Sequence, residues 1–444
     1  MESNPFGIRG FLIDAPDFGT VRGRRNGAVV IENGRIAAIG DYDDLRRLQR
    51  RPVNWIDRGQ VAIFPGLIDC HTHLPQYPAV ARGESELLPW LRQHIFPVER
   101  EFSGPVARVQ APQFFHELAR HGTTTAMVYT AIYEDSCEIS FEAAKQSGLR
   151  VIMGKMMMDI GSYGQLQPKK VLSVSLTESE RLCRKWHRSE QGRLEYAFSP
   201  RFAVTCSEKL MRSAAEMAKR YDAYLQTHLA ENREEIEKVH HLFMAASDYT
   251  HVYETCGLLT PKMMLGHCIH LNPREIGAIA AARSSVAHCP TSNLFLSSGL
   301  IKLDQLMNAG IPIGLGSDVA AGPELNMWQV MRAAIDVQKA RRSYEPHLRP
   351  LRPGEAFYLA TQGGARALGK GQMIGTFDPG KEADLIVVDL AALLPYPKDP
   401  NALRNLSTED VIALCVYRGG PHATAETYVR GRCVYQAPNL PSHP

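Results

Sequence analysis

The sequence predicts an α/β protein, with a (β/α)8 TIM barrel in the middle of the chain and a small composite β-sandwich formed from both chain ends. Through the middle, short apolar runs recur, and a longer helical pattern follows each of them, as in βα units. Near both ends, hairpin signals appear instead. We therefore expect residues 1–64 and 371–444 to form the sandwich, around a barrel at residues 65–370.

Eight apolar runs fit the strands of one barrel, a fold that usually takes about 250 residues and tolerates insertions. Helical patterns lie between the runs, for example over residues 231–245 and 325–339. The eight predicted strands are 64–70, 123–128, 150–155, 194–198, 223–227, 263–266, 284–287 and 311–315.

The sandwich prediction depends on turn signals. Asn33 and Gly34 separate two apolar runs, and Asn-Gly in that position is the strongest short hairpin signal. Residues 383–389 read as a strand, and residues 428–435 read as a hairpin that turns at Gly431. The two chain ends are therefore expected to pair with each other.

Composition excludes several classes of partner. The chain has 444 residues, with 50 Lys and Arg against 47 Asp and Glu, and this balance gives no electrostatic reason to expect nucleic acid or an anionic membrane. No apolar stretch approaches the roughly 20 residues that span a bilayer. The nine Cys never form a C-x-x-C pair, which argues against a disulfide framework and a zinc ribbon. We expect a cytoplasmic protein.

The most specific motif is Asp-Cys-His-Thr-His at residues 69–73, directly after an apolar run. Residues i and i+2 of a strand point to the same side, so His71 and His73 present two imidazoles to one point. In a barrel, the carboxyl ends of the strands line the catalytic face. A coincidental polar pair would give the same pattern, so the interpretation needs further ligands.

Further candidate ligands lie at the ends of later predicted strands. His228 follows the fifth strand, His267 the sixth and Asp318 the eighth. Imidazoles and a carboxylate suit Zn²⁺ or Fe²⁺, with one position left for water. Solvated loop tips do not readily explain metal-binding residue types at four strand ends, so the sequence predicts a metal site.

Glu231 lies three residues after His228, where a helix is predicted to begin. An acidic residue is favourable at any helix N-terminus, so this position has an ordinary structural explanation. Beside a metal, a carboxylate can instead carry protons between water and a leaving group. We predict the catalytic role.

Residues 65–73 resemble the start of the barrel in the amidohydrolase superfamily, and the β-rich ends resemble its composite sandwich. More narrowly, the chain resembles the guanine deaminase family over residues 61 to about 340, and its terminal strands extend the resemblance. The His-x-His motif is shared by the whole superfamily, whereas the segments around Arg201 and His228 are more discriminating. The matching segments are 71–77, 90–91, 96–99, 199–207, 226–232, 288–294 and 316–320.

The resemblance implies hydrolytic deamination of guanine to xanthine and ammonia, with one zinc ion per subunit, iron as the alternative metal, and a homodimer. It assigns His267, Glu231 and Asp318 to catalysis, with His267 close to the metal-bound water and Glu231 as the proton shuttle. It also implies that Gln76 and Arg201 hydrogen-bond the purine, with Phe202 beside it. The implied metal ligands are His71, His73, His228 and Asp318.

The sequence leaves alternatives open for the substrate and for the reaction. Segments 77–90 and 319–327 vary within the family and would form the pocket rim, so the substrate could be 8-oxoguanine, a pterin or a triazine. Hydrolysis of a cyclic amide and a non-catalytic scaffold are further readings. The His-x-Glu and Pro-Cys-x-x-Cys signature of nucleic-acid deaminases is absent.

Overall fold

The computed structural model of the chain describes residues 5–48, 52–83, 86–162, 168–396, 403 and 405–438. Residues 84 and 85 of the predicted pocket rim therefore lie outside the described residues. The strands are β1 Phe6–Asp17, β2 Thr20–Glu32, β3 Arg35–Asp41, β4 Asn54–Pro65, β5 Leu67–His73, β6 Thr123–Tyr129, β7 Arg150–Gly154, β8 Met156–Met157, β9 Leu194–Pro200, β10 Tyr224–Leu229, β11 Met263–His267, β12 Ser285–His288, β13 Ile313–Leu315, β14 Leu385–Asp389, β15 Thr424–Val429 and β16 Arg432–Gln436.

Helices follow most of the barrel strands, as the βα pattern predicts. They are α1 Tyr42–Leu48, α2 Leu87–Trp90, α3 Phe96–Glu101, α4 Gly104–Arg120, α5 Glu134–Ser147, α6 Pro168–Trp186, α7 Ser189–Gly192, α8 Glu208–Tyr221, α9 Arg233–Leu242, α10 Tyr249–Thr255, α11 Pro273–Ala281, α12 Pro290–Phe295, α13 Leu303–Asn308, α14 Met327–Tyr344, α15 Pro353–Leu359, α16 Gln362–Ala367 and α17 Thr408–Arg418. A π-helical turn, Leu91–Ile95, joins α2 to α3. Across the described part of the chain, no helix has the length and apolar character that crossing a membrane requires.

The predicted barrel is confirmed. Strands β5, β6, β7, β9, β10, β11, β12 and β13 pair in parallel in that order, and the short β8 pairs with β9. The first and last strands meet where the Asp318 N–H donates to the His71 carbonyl at 2.8 Å and the His73 N–H donates to the Val319 carbonyl at 3.2 Å. This closure brings Asp318 beside the two histidines of β5.

Each of the eight predicted runs corresponds to one barrel strand, and only the first contains a break. The run predicted over residues 64–70 is divided at Gly66, because β4 ends at Pro65 and β5 begins at Leu67. A Cβ atom on Gly66 would lie 2.1 Å from Thr124 Oγ1, so only glycine allows this close approach of the two strands.

Both chain ends contribute to one mixed sheet, which confirms the composite character predicted for the second unit. Its strand order is β16-β15-β14-β4-β1-β2-β3, with β1 and β4 parallel. Asn33 and Gly34 have φ values of 50° and 76° between β2 and β3. Positive φ at both central residues suits the right-handed twist of a hairpin. Arg430 and Gly431 repeat this geometry between β15 and β16, with φ values of 49° and 70°.

Both helices predicted from the sequence form, but their boundaries differ by a few residues from the predicted ones. The pattern over residues 231–245 forms α9, which begins only at Arg233 because the Asn232 side chain caps it. The pattern over residues 325–339 forms α14, which runs to Tyr344 and has Asn326 as its N-cap. Side-chain capping therefore sets both starting points.

Candidate active site

Four histidines and one aspartate converge at the carboxyl ends of the barrel strands. Nε2 of His73 lies 3.3 Å from Nε2 of His71, 3.2 Å from Nε2 of His228 and 3.2 Å from Oδ1 of Asp318. Nε2 of His71 is also 3.2 Å from the same carboxylate oxygen. The donor atoms of His71, His228, His267 and Asp318 all lie within 4.8 Å of one another. The structure thus brings together all four residues predicted as metal ligands.

The hydrogen bonds of this cluster leave nitrogen lone pairs pointing inward. Nδ1 of His228 donates to the Arg201 carbonyl at 2.7 Å, so Nε2 of His228 carries a lone pair toward His73. Nδ1 of His267 bonds the Asn293 side-chain oxygen at 2.9 Å. Burial lowers the pKa of His71 to about 4 and lowers that of His228 well below the ordinary value. The neutral imidazole, which is the ligand form, is therefore favoured.

This donor set fits a metal ion. Ligand atoms about 2.0 Å from a shared tetrahedral ion lie about 3.3 Å from one another. Four of the six pairs of predicted ligand atoms are 3.2 to 3.3 Å apart. Lone pairs that face each other at this separation repel unless a cation lies between them. Imidazole nitrogen and carboxylate oxygen are ligands that zinc and iron both accept.

The surrounding structure fixes the cluster through unusual backbone angles and close packing. Asp318 and His267 have φ values of 48° and 69°, which are uncommon for residues with a Cβ atom and recur at functional sites. A Cβ atom on Gly266 would lie 2.8 Å from the ring of His71, so glycine at this position makes room for the imidazole. The ring of Tyr129 stacks on that of His73 at 4.5 Å.

Glu231 lies beside the cluster, as its spacing from His228 predicts. Oε2 of Glu231 is 3.3 Å from Nε2 of His267, which is itself 3.6 Å from Oδ2 of Asp318. Ser298 donates a hydrogen bond to Oε1 of Glu231 at 3.1 Å. Burial raises the pKa of Glu231 above its ordinary value, because the ionised form loses its hydration. Glu231 can therefore hold a proton near neutral pH.

The predicted substrate residues share one cavity with the cluster. Gln76, Arg201 and Phe202 line this cavity together with His73, His228, Glu231, His267 and Asp318. Apolar side chains complete the wall, namely Leu87, Trp90, Leu91, Leu296 and Ala321. Apolar side chains combined with directed polar groups are typical of a site for a small ligand.

Sequence reasoning assigned no role to Glu99, which the structure places between Gln76 and Arg201. Oε1 of Glu99 accepts from Nε2 of Gln76 at 2.8 Å, and Oε2 accepts from Nη1 of Arg201 at 2.5 Å. Asn293 and Ser298, which orient His267 and Glu231, also received no role. Glu99 lies within one of the segments used for the family resemblance, but its burial depends on contacts that spacing along the chain does not reveal.

Two further titratable side chains, those of Lys155 and His288, lie at the carboxyl ends of barrel strands. Lys155 directly follows β7, and its Nζ atom pairs with Oε2 of Glu178 at 3.2 Å. His288 ends β12, and within the described structure neither of its ring nitrogens has a hydrogen-bond partner. Burial lowers the pKa of His288 to about 3, so this ring is neutral. All nine cysteines are free thiols.

A parallel barrel with a His and Asp cluster that could hold a metal at its carboxyl edge, together with a composite sheet from both chain ends, is the architecture of the metal-dependent hydrolases. The model of the Amidohydrolase family matches residues 62–432, and that of an imidazolonepropionase-like composite domain matches residues 27–48. The chain belongs to the amidohydrolase family. Membership of this family confirms the prediction of an enzyme that hydrolyses carbon-nitrogen bonds.

Curated relatives narrow the similarity to the guanine deaminases, and the predicted resemblance is thereby confirmed. Guanine deaminase from Escherichia coli is 36% identical over 414 residues, which cover 93% of this chain and 91% of the relative. Guanine deaminase from Rattus norvegicus is 35% identical over 374 residues, which cover 84% of this chain and 82% of the relative.

Solved structures show the same similarity. The E. coli guanine deaminase superposes with a TM-score of 0.90 at 34% identity, covering 97% of this chain and 99% of that one. A guanine deaminase from C. acetobutylicum with guanine bound in its active site superposes with a TM-score of 0.89 at 28% identity, covering 97% of this chain and 100% of that one.

Proposed function

We propose that this protein is a zinc-dependent guanine deaminase, which hydrolyses guanine to xanthine and ammonia. One observation carries the proposal: a single cavity combines the His and Asp cluster with Arg201 and Gln76, whose side chains Glu99 orients. The similarity to guanine deaminases over most of the chain supports the same substrate. The proposed ligands of the zinc ion are His71, His73, His228 and Asp318.

Arg201, Gln76 and Phe202 would bind the purine. The Arg201 guanidinium carries only donors and therefore suits a ring carbonyl, whereas the Gln76 amide both donates and accepts. Phe202 is almost fully buried, with its ring centroid 6.4 Å from that of His228. These groups hold the ring so that its amino-bearing carbon faces the cluster. Such positioning makes attack by water effectively intramolecular.

Glu231, His267 and Asp318 would handle the protons. Asp318 accepts a proton from the attacking water, which His267 helps to orient. Glu231 donates its proton to the ring nitrogen beside the attacked carbon. It then takes the proton of the new hydroxyl group on that carbon and delivers it to the leaving amine, and the proton held by Asp318 restores Glu231. A bound zinc ion supplies the activation of water at neutral pH. Water and guanine are consumed, and xanthine and ammonia are released.

The test is ammonia release from a panel of substrates by the zinc-loaded protein. The panel contains guanine, 8-oxoguanine, adenine, cytosine, isoxanthopterin and ammeline. We expect the highest kcat/KM for guanine, loss of activity on chelation, and recovery when zinc is added back. Parallel reloading with iron compares the two candidate metals.

Two results would contradict the proposal. Activity on adenine or cytosine without activity on guanine would exclude guanine as the substrate. A higher kcat/KM for isoxanthopterin, ammeline or 8-oxoguanine than for guanine would identify another aminated heterocycle as the substrate.

A homodimer in the cytoplasm, without nucleic-acid or membrane partners, stays a prediction.

A further inference from the structure

Glu99 is a buried carboxylate that contacts both polar residues of the proposed purine site. It lies on the short helix α3, and only 1% of its surface is exposed. One oxygen accepts from Nε2 of Gln76 at 2.8 Å, and the other accepts from Nη1 of Arg201 at 2.5 Å. Glu99 therefore links the loop after β5 to the loop after β9.

The contact with Glu99 defines which way the Gln76 amide points. Nε2 of Gln76 donates to Glu99, and Oε1 accepts from the Ala320 N–H at 3.2 Å. Opposite ends of the amide are held by a fixed acceptor and a fixed donor, so a flipped amide would lose both bonds. Each end keeps one further hydrogen-bonding position, which a ring nitrogen or ring carbonyl can use.

Glu99 also constrains the Arg201 guanidinium. The carboxylate bonds one side of the group, and the ring of Phe96 lies 4.9 Å from Cζ. The Arg201 backbone is held as well, because its carbonyl accepts from Nδ1 of His228. A guanidinium with five N–H groups can bond a carboxylate and a ring carbonyl at the same time. A planar donor group held in this way is pre-oriented for a planar ligand.

The pair has no net charge, although both side chains are buried. Side-chain exposure is 3% for Arg201 and 1% for Glu99. An unpaired arginine in such a place would be unfavourable and would attract any anion. The pair therefore suits a neutral ring that carries an oxygen acceptor.

We propose that Glu99 is a positioning residue that holds Gln76 and Arg201 in the orientation needed to recognise the carbonyl of a neutral oxopurine. This inference rests on the proposed function, because it takes guanine as the ligand. It adds a determinant of specificity that does not itself touch the reacting atoms. The effect should therefore appear in recognition of the carbonyl rather than in the chemical step.

The test compares Glu99→Gln with the unmodified zinc-loaded protein. Glutamine keeps the shape of the side chain but replaces one acceptor oxygen with an NH₂ group, which would then face a donor on Gln76 or Arg201. We expect the KM for guanine to rise by about 10- to 100-fold, as expected when a hydrogen bond to a charged group is lost. We expect kcat to change by less than about fivefold.

A second ligand separates positioning from general damage. 2-Aminopurine keeps the ring and the C2 amine but has no carbonyl at C6, so it cannot use the donors that Glu99 orients. We expect its inhibition constant against guanine to change by less than about threefold in Glu99→Gln. The matched control is Glu101→Gln, which alters an exposed glutamate on the same helix and should change neither constant.

The possible outcomes are distinct. If the KM for guanine and the inhibition constant of 2-aminopurine rise equally in Glu99→Gln, the positioning role is overturned. It is also overturned if Glu99→Gln has the same KM for guanine as Glu101→Gln. If Glu99→Gln does not fold, the same two constants are measured on Glu99→Asp, which keeps the charge but is too short to bond both partners. If the unmodified protein does not deaminate guanine, the proposed function itself fails.

Discussion

At the scale of single residues, the site depends on a few buried side chains whose protonation the surrounding structure controls. Glu231 is the clearest case. It is almost fully buried between His267 and Ser298, and burial raises the pKa of its carboxyl group. A carboxylic acid that keeps its proton near neutral pH can serve as a general acid.

Replacing Glu231 with glutamine tests this role. Glutamine keeps the size of the side chain but cannot carry the transferred proton, so we expect kcat to fall by about 10²- to 10⁴-fold. Zinc content, measured by atomic absorption, should not change. Glu234→Gln, at an exposed position three residues later, is the matched control. Near-normal turnover by a zinc-replete Glu231→Gln protein would remove this residue from the mechanism.

At the scale of elements, the start of α9 holds the backbone of Glu231. Oε2 of Glu235 accepts from the N–H groups of Glu231 and Asn232, at 2.9 and 3.2 Å. The Tyr249 hydroxyl donates to the other oxygen of Glu235 at 2.7 Å. Asn232 completes a capping box at the same helix end. This helix terminus therefore supports both folding and the position of the Glu231 side chain, the proposed proton shuttle.

Removing the cap should destabilise the protein. We expect Asn232→Ala to lower the free energy of unfolding by about 1 kcal/mol, because an N-terminal N–H of α9 loses its acceptor. The measurement is urea unfolding followed by circular dichroism. Lys238→Ala, at an exposed position inside α9, serves as the control. Equal stability of the two variants would show that the cap contributes nothing measurable.

At the scale of the whole molecule, a buried ion-pair cluster joins the barrel to the terminal sheet. Nη2 of Arg150, at the start of β7, lies 2.5 Å from Oε2 of Glu382 and 2.9 Å from Oδ2 of Asp384, just before β14. Arg430, in the turn between β15 and β16, also pairs with Glu382 at 2.7 Å. Burial acts to raise the pKa of Glu382, but the two arginines outweigh burial and hold it below the ordinary value of about 4.5.

This cluster predicts a loss of stability in acid. Because the pKa of Glu382 is depressed in the folded state, its contribution is complete above about pH 4.5 and is lost as the pH falls further. At pH 7 we expect Glu382→Gln to lower the free energy of unfolding by about 1.5 to 3 kcal/mol. The difference from the unmodified protein should be constant above about pH 5 and shrink as the pH falls below about 4.5.

Urea midpoints across this pH range measure the effect. Glu216→Gln, at an exposed position on α8, is the control for removing one carboxylate. A constant difference between Glu382→Gln and the unmodified protein at every pH would contradict the ion-pair explanation.

Much of the site could be predicted from the sequence, because strand geometry is local. The two-residue period of β5 puts His71 and His73 on one side, and parallel strands in a barrel end at one rim. His228, His267 and Asp318 therefore had to lie near one another once the strands were recognised. Asn-Gly at positions 33 and 34 likewise determined a hairpin, because few other residue types readily adopt positive φ at both positions.

Only the tertiary structure decided the contacts between distant side chains. Glu99 joins Gln76 to Arg201, and Arg150 joins β7 to residues more than 200 positions later, yet no spacing along the chain signals either contact. The physical reason is that local periodicity determines which way a strand presents its residues, whereas the partner of a buried charge depends on how separate elements pack. The sequence by itself therefore determined the barrel and its candidate metal ligands. Packing determined how the proposed substrate-binding residues are oriented and how the barrel and the terminal sheet are joined.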